Sequence, residues 1–373
     1  MASSPKARNK KAPIIDQEGA APQTKERVKL SPAAEARLRV VTMKDIAKVA
    51  GVTSMTVSRV MKGDNYVAPA TRELVLRIAQ ELNYTTNLAG RALRTGRTDT
   101  IGIIGGALEQ PFNAAIIAAL ESLLTKSGYQ TKLILNFHDL NQLIKSSQAN
   151  AVDGFIVTGM HCQLQELRSE GYELTQPFVN IIIVKLPDED CVQCDLVPAV
   201  REALHFMLQQ GRKRIAYVGI GNLDVSRTTR HTEIRTGAYL DVMKEAQREP
   251  ELISAAFHYE VPGLQRVEIL REYFASNGCP DAILCVNDDV AMQTYRALMD
   301  VGCRIPEDTL LVGCDGLAFT AYFEPPLSTI SQPIGLLAEQ AWSFLKNRIA
   351  DPQIAPQYAC FNAQLVIRKS LQP

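Results

Sequence analysis

The sequence predicts a two-part fold: an α-helical helix-turn-helix head followed by an α/β body of two doubly wound parallel-sheet lobes. Three observations predict it. Val41 to Arg59 reads as two short helices about a glycine turn; from Thr100 onward short apolar strands alternate with helical stretches in two successive sets; and the chain, 373 residues with no net charge, is basic at one end and acidic elsewhere. Residues 1–99 carry 18 Lys and Arg against 9 Asp and Glu, whereas residues 100–373 carry 22 against 31. A basic head lowers the cost of approaching phosphates and an acidic body is held off them, so this division orients such a chain on nucleic acid. The 46% hydrophobic content over this length exceeds the needs of one ordinary core.

Residues 1–39 are rich in Lys, Arg, Pro, Ala and Ser with few large apolar side chains, and read as a mobile basic tail. Charge runs of this kind are usually just solvated, so removing the tail is expected to leave the choice of DNA site unchanged. In the first helix of the head, Ile46, Ala47 and Val49 are expected to face inward; Ala47 lets a second helix cross closely and Gly51 suits the positive φ of the turn. In the second, Val57 and Val60 point to the core and leave Ser54, Met55, Thr56, Ser58 and Arg59 outside. Asp64 to Ala70 is a turn-rich connection. Pro69 to Leu82 then repeats apolar residues at helical spacing, with Leu74, Ile78, Ala79 and Leu82 closing over the pair. Small polar side chains and one arginine on the outer face suit a DNA groove.

In the body, strand Ile101 to Ile104, helix Ala114 to Thr125, strand Thr131 to Leu135, helix Leu140 to Ala149 and strand Gly154 to Val157 give the alternation of a parallel sheet. A second set begins after Val192 with helix Pro198 to Gln210, strand Arg214 to Val218, helix Ile234 to Gln247 and a strand near Phe257. It continues through helix Leu264 to Ser276, strand Ala282 to Val286, helix Val290 to Val301 and strand Leu310 to Cys314, and a strand Ala363 to Arg368 lies near the end.

Several classes are disfavoured. No apolar run approaches the roughly 18 residues needed to cross a bilayer, and the N-terminus lacks the apolar core of a secretory signal, so a cytoplasmic, nucleoid-associated protein without a membrane partner is expected. Eight cysteines in so long a chain do not make a disulfide framework. Cys191 and Cys194 have C-x-x-C spacing, but Cys279, Cys285, Cys303, Cys314 and Cys360 do not supply the second pair that a zinc ribbon needs; the pair reads as small hydrophobes and no metal is expected. No cofactor or catalytic residue is expected either. The chain has no G-x-G-x-x-G, phosphate loop or G-x-S-x-G elbow, and its five histidines, His138, His161, His205, His231 and His258, lack a spaced partner, His161 with Cys162 reading as structural.

The Val41 to Tyr84 block, followed by Asn87-Leu-Ala-Gly-Arg-Ala-Leu-Arg, closely resembles the lactose and galactose repressor (LacI/GalR) family of bacterial transcription regulators, and the match continues to the C-terminus. The resemblance implies a periplasmic-binding-protein-like body whose chain returns near Ser331 and Gln332 to give the first lobe a late helix, Leu336 to Ile349, before crossing again. The expected divisions are a tail over 1–39, the head over 40–86, a hinge over 87–99, an N-lobe over 100–193 and 332–359, and a C-lobe over 194–331 and 360–373. It further implies a DNA-binding regulator, a repressor by expectation, that grips a palindromic double-stranded operator under allosteric control by a small ligand. The chain ends with no trailing heptad repeat to join dimers into tetramers, so a homodimer is expected.

In that family the second helix lies in the major groove and its first residues, here Ser54 and Met55, set sequence preference. Met55 has only an apolar contact to offer, such as a thymine methyl, while Ser54 donates or accepts. Arg59 is expected to read guanine, and Thr53, Thr56, Ser58 and Lys62 to hold phosphate. Asn87 to Thr95 carries the hinge signature, a short helix formed when two chains meet on bent DNA. Asn87, Arg91 and Leu93 are its expected contacts, Leu93 as the minor-groove wedge. Gly90 stands where alanine is usual, weakening that helix by ~1 kcal/mol per chain. A plain linker is the other reading of this segment.

Ligands of open α/β sheets bind beyond the carboxyl ends of the strands, which selects Phe112, Asn113, Asn287, Asp288 and Asp315, with Arg235 entering through Arg-x-x-Ala-Tyr, similar to the family's Arg-x-x-Gly-aromatic. A carboxylate and a guanidinium facing one cleft grip vicinal hydroxyls, and Phe112 offers a face to a sugar ring, so the effector is expected to be a sugar or sugar derivative. A nucleoside or other ring metabolite is the alternative. Asp288 and Asp315 have a plainer reading as helix caps or loop ties, and Asp153 and Asp195 are read as turn holders. Rival classes are an enzyme with a regulatory head, an exported sugar carrier and an architectural DNA binder; the absent catalytic motifs, the absent signal and the ligand-type body weigh against each in turn.

Overall fold

A computed structural model describes residues 41–61, 64, 66–84, 97–146, 151–186, 188–221, 233–256, 258 and 261–372. The chain divides into two compact units, residues 1–87 and 88–373.

The head is built from α1 (Met43–Ala50), α2 (Ser54–Met61) and α3 (Pro69–Glu81). Asp45 starts α1 by accepting hydrogen bonds from the Thr42 backbone N–H at 2.9 Å and hydroxyl at 2.7 Å. Gly51 ends it at φ 66°, the left-handed conformation that lets the chain turn at once into α2. Ile46, Ala47, Val57, Val60, Val75, Ile78 and Ala79 form one buried cluster. Two sequence expectations change here. Val49 is 61% exposed, because at roughly 100° per residue positions 43, 46, 47 and 50 share one arc and 49 falls outside it. Val75, rather than the half-buried Leu74, is the fully buried member of α3.

The body holds two six-stranded sheets. The first runs β11-β5-β4-β3-β1-β2, from β1 (Thr100–Ile104), β2 (Gln130–Ile134), β3 (Gly154–Thr158), β4 (Phe178–Ile182), β5 (Cys191–Asp195) and β11 (Tyr358–Asn362). The second runs β12-β10-β9-β8-β6-β7, from β6 (Ile215–Gly219), β7 (Glu251–Ser254), β8 (Ala282–Cys285), β9 (Leu310–Asp315), β10 (Ser328–Ser331) and β12 (Gln364–Val366). All pairings are parallel except β10 with β12. Helices α4 (Pro111–Lys126), α5 (Phe137–Lys145), α6 (His161–Ser169) and α11 (Ile334–Ala350) accompany the first sheet; α7 (Val197–Gln209), α8 (Ile234–Glu245), α9 (Gly263–Asn277) and α10 (Asp288–Asp300) accompany the second. β3 and β6 are buried along their whole length, the continuous apolar run of a strand covered on both faces.

The lobe boundaries move slightly from those expected. β5 pairs with β4 through Gln193 and with β11 through Asp195, and β11 stays in the first sheet to Asn362, so the chain crosses after residues 195 and 362 rather than 193 and 359. The expected strand Ala363 to Arg368 is found as the shorter β12, and Ala363, buried, separates it from β11 in the other sheet. The strand expected near Phe257 is β7, whose start is held by the Tyr239 hydroxyl accepting from the Glu251 N–H at 2.7 Å. Phe257 lies outside the described residues. α5 begins three residues before the expected Leu140, because the Asn136 side chain caps it by accepting the Asp139 N–H at 2.9 Å.

Candidate functional site

On the head, Thr53 caps α2: its hydroxyl accepts the Thr56 N–H at 3.1 Å and lies 3.0 Å from the Thr56 hydroxyl. With Val57 and Val60 committed to the core, Ser54, Met55 and Arg59 stand exposed and Thr56 and Ser58 half-exposed. Met55, 66% exposed at the start of the helix, is a large apolar side chain with no core to join. A helix N-terminus flanked by small hydroxyl side chains suits the phosphate backbone. Lys62, Asn87, Arg91 and Leu93 lie outside the described residues.

In the body, the carboxyl ends of both sheets converge on a cavity of ≈ 220 Å³. Five of the six residues singled out from the sequence line it: Phe112 and Asn113 from the start of α4, Arg235 from α8, Asn287 before α10 and Asp315 at the end of β9. Asp288 does not. Its side chain is fully buried and turned into the second lobe, where Oδ1 accepts from the Thr329 hydroxyl at 2.6 Å and Oδ2 from the Leu317 N–H at 2.8 Å. Gly313 allows this approach, since a Cβ there would stand 2.2 Å from Oδ1. Asp288 is therefore a loop tie between β9 and β10, the plainer of its two readings. Asp153 and Asp195 do hold turns, accepting from Thr98 and Val197 respectively.

Each polar group of the second lobe has an anchor. Arg235 Nε donates to Glu233 at 2.7 Å and Nη1 donates to the Val286 carbonyl; among the described residues Nη2 has no partner. Glu233 also accepts from the Tyr217 hydroxyl at 2.6 Å. Burial works to raise the Glu233 carboxyl, but the Arg235 charge and the hydrogen bonds of Tyr217 and Thr236 hold it below its ordinary value. Asn287 caps α10 by accepting the Val290 N–H at 2.8 Å. Asp315 is nearly buried, sits at φ 135° and accepts from Gln332 at 2.9 Å. Burial pushes its carboxyl up to about 8, against the pull of the Arg235 charge. A strained, desolvated carboxyl beside a cationic side chain is costly to keep and is a common mark of a binding site.

The first lobe's wall is different. Ile181, Ile182 and Ile183 line it, with Leu196 at the crossing just beyond β5, and the Asn113 side-chain NH2 donates to the Ala107 carbonyl at 3.1 Å and to Gln110 at 3.3 Å. Sequence reasoning missed Gln332 and Gln110, and took His161 as merely structural, whereas all three line the cavity. The signal was there for His161, which comes three residues after the end of a buried strand. The cysteines are all free, with Cys191 and Cys194 buried, and no group of three metal-ligating side chains converges among the described residues. Nor is any described helix long and apolar enough to cross a membrane.

A helix-turn-helix head joined to a two-lobed α/β body of periplasmic-binding type defines a class: DNA-binding transcription regulators. Residues 42–87 match the family model of bacterial regulatory proteins, lacI family, and residues 204–371 match that of the periplasmic binding protein-like domain. The head is thus a lacI-family DNA-binding domain, and with the periplasmic-binding-like body it makes the chain a DNA-binding transcription regulator. It is 29% identical over 342 residues to the HTH-type transcriptional repressor PurR of Pasteurella multocida, covering 89% of this chain and 98% of that one. To the ribose operon repressor of Haemophilus influenzae it is 28% identical over 338 residues, covering 88% and 98%. Among solved structures, a lac repressor dimer bound to operator and the anti-inducer ONPF matches with a TM-score of 0.75 at 21% identity, covering 89% of this chain and 99% of that one, a likeness of fold. The transcriptional regulator CelR in complex with cellobiose matches with a TM-score of 0.60 at 26% identity, covering 88% and 99%.

Proposed function

We propose that this protein is a cytoplasmic homodimeric repressor that holds a palindromic operator through α2, and whose grip is set by a ring-sized metabolite bound in the cavity between the body's lobes. The observation that carries this reading is the convergence of Phe112, Arg235, Asn287 and Asp315, far apart in sequence, on one cavity. A ligand that prefers one angle between the lobes shifts the dimer toward that angle, and the operator affinity with it; by linkage, DNA binding changes ligand affinity equally. On the DNA side, Ser54 and Met55 set base preference, Arg59 reads guanine, and Thr53, Thr56 and Ser58 hold phosphate. Lys62, Asn87, Arg91 and Leu93 complete that surface in this reading. The lac repressor dimer solved on operator supports the two-chain arrangement.

A cavity of ≈ 220 Å³ lies below the ~300–1,000 Å³ of drug-sized sites, so a single ring system fits better than a disaccharide. Asp315 beside Arg235, with Asn287, suits the vicinal hydroxyls of a monosaccharide or its derivative. A flat nitrogen heterocycle or nucleoside is the second reading, favoured by Ile181, Ile182 and Ile183, which offer no partner to a hydroxyl placed against them.

The test is fluorescence anisotropy on an operator selected from random duplex, with D-ribose, D-glucose, cellobiose, adenine and adenosine added in turn. A single-ring sugar or a purine compound should shift the operator affinity, and cellobiose should not. Failure to enrich any palindrome from the random pool would remove the basis for the reading.

A further inference from the structure

The strand β3 ends on an exception to its own pattern. Gly154, Phe155, Ile156 and Val157 are buried and apolar, as a strand covered on both faces requires, but the last residue, Thr158, brings a hydroxyl and is only 3% exposed. Valine has the same branched shape and the same preference for strands without that hydroxyl. Among the described residues the Thr158 hydroxyl has no hydrogen-bond partner, yet Thr158 lines the cavity and its oxygen keeps some accessible surface, unlike the sealed hydroxyl of Thr131. Asn113 reaches the same wall from α4. Its side-chain NH2 donates to the Ala107 carbonyl at 3.1 Å, and because a carbonyl only accepts, that bond fixes which end of the amide is oxygen. Asn113 Oδ1 has no partner among the described residues and is likewise unsealed. Two glycines make room for this amide: a Cβ on Gly106 would stand 2.3 Å from Asn113 Nδ2, and one on Gly159, the residue after Thr158, 3.2 Å from Oδ1.

We propose that Thr158, with Asn113 beside it, is the specificity-determining contact of the first lobe: the two oxygens pair with an O–H or N–H group that the effector carries on the edge turned away from Arg235 and Asp315. This rests on the reading that the cavity holds the effector. The reason is an asymmetry in cost. A nearly buried hydroxyl is penalised in every complex that leaves it unpaired, whereas a ligand that supplies the partner removes the penalty and gains the bond. Sites built to pair a ligand's polar hydrogen reject analogues lacking it far more strongly than apolar walls reject a change of size. Thr158 donates or accepts and Asn113 Oδ1 only accepts, so together they call for a polar hydrogen, which Ile181, Ile182 and Ile183 cannot satisfy. The effector class narrows accordingly to rings that are polar on both edges, as a free sugar, a nucleoside or a purine with its ring N–H is, and excludes compounds polar at one end alone.

The test uses the full-length protein, with D-ribose, D-glucose, adenine and adenosine as probes titrated by calorimetry. Whichever probe binds the wild type should bind Thr158→Val roughly 10-fold more weakly, and Thr158→Val should discriminate less than the wild type between that probe and its monodeoxy or N-methyl analogues. Thr158→Ser keeps the hydroxyl and should bind nearly as the wild type does. In urea the two variants should part in the opposite sense: the midpoint of Thr158→Val stays level or rises, because no protein partner loses a bond, while that of Thr158→Ser falls with the lost methyl group. A lower midpoint for Thr158→Val would overturn the proposal without any ligand, since it would give the hydroxyl a structural role; undiminished discrimination would overturn it as well. Asp315→Asn is the control for the cavity itself. If it weakens binding and Thr158→Val does not, the first-lobe contact is overturned while the site stands; if neither weakens binding, or no probe binds the wild type, the site reading fails and the proposal with it.

Discussion

The two lobes share one strand order and differ in charge where they meet the cavity. In both sheets the first strand lies between the second and third, and in both the carboxyl ends face the cavity, yet one wall presents Arg235, Asn287 and Asp315 and the other presents Ile181, Ile182 and Ile183 with the uncharged side chains of Phe112, Asn113 and Thr158. The fold therefore fixes where a ligand goes, and the residues at the strand ends fix what it can be. The walls also differ in how they are supported. Glu233 holds Arg235, the Val290 N–H holds Asn287 and Gln332 holds Asp315, so the polar wall is oriented before any ligand arrives. Orientation of the effector should come from the second lobe, and exclusion of water from the first.

The largest effect expected from breaking this contrast is on the support of the polar wall. Arg235→Ala leaves the Glu233 carboxylate largely buried beside Tyr217 with its cationic partner gone, and should cost about 3–5 kcal/mol of stability in urea unfolding. A loss under about 1 kcal/mol would mean that the wall relaxes freely and is not preorganised.

Asp315→Asn comes next. It keeps an oxygen for Gln332 but replaces a carboxyl that can give up its proton to pair with a ligand by an amide that cannot, and should weaken effector binding by about 2 kcal/mol with operator affinity retained. It should also change the pH dependence of the ligand-free protein. Because burial raises the Asp315 carboxyl from its ordinary 3.8 to about 8, the folded chain keeps a proton that the unfolded chain has already lost. The associated stability is fully present below about 3.8 and is lost as pH rises to about 8, at ~1.4 kcal/mol per pH unit. His161 works the other way, since burial lowers it from 6.5 to about 4 and its contribution is complete above 6.5. Between pH 6.5 and 8 the Asp315 effect is therefore unopposed by His161: the urea midpoint should fall in the wild type and stay level in Asp315→Asn. Equal slopes in the two proteins would place the carboxyl's titration elsewhere.

How far these features could be read from the sequence differs between head and body for a physical reason. The helices of the head are short and amphipathic, with a period set by local geometry, so Ile46, Val57, Val60, Ile78 and Ala79 were all legible as core. Val49 was misplaced by one position around the helix. In the body the buried parallel strands are apolar on both faces, and β1, β3, β8 and β9 were evident from that run of residues. β5 and β10 were not, because Gln193, Asp195 and Ser328 break the apolar signal while the pairing partners come from distant parts of the chain. The same limit governs the site. Residues just after a strand were found by position, but whether a side chain turns to the cavity or into its own lobe depends on partners such as Thr329 and Leu317, which is why Asp288 and Asp315 looked alike in sequence and differ in space. The roles of Glu233 and Gln332 depend on such partners too.

That distinction is itself testable with a smaller effect. Asp288→Asn should cost about 1–2 kcal/mol, because the buried Leu317 N–H and Thr329 hydroxyl lose a charged acceptor, while the affinity for the effector stays unchanged. A loss of affinity comparable to that of Asp315→Asn would return Asp288 to the binding wall.

The smallest effect sharpens the account of the apolar side. Phe112 is half-buried at the start of α4 and lines the cavity, with its ring packed in part against the body's main hydrophobic cluster. Phe112→Leu keeps an apolar side chain of similar bulk, so it should leave folding nearly unchanged and remove only the flat face on which a ring can stack. That face is worth about 0.5–1.5 kcal/mol beyond the area it covers, a loss of roughly 2- to 12-fold in effector affinity by calorimetry. A planar heterocycle stacks with its whole face, whereas a pyranose offers only its C–H side, so the upper end of that range favours the heterocycle and the lower end the sugar. No change at all would mean that the first lobe contributes exclusion of water without stacking.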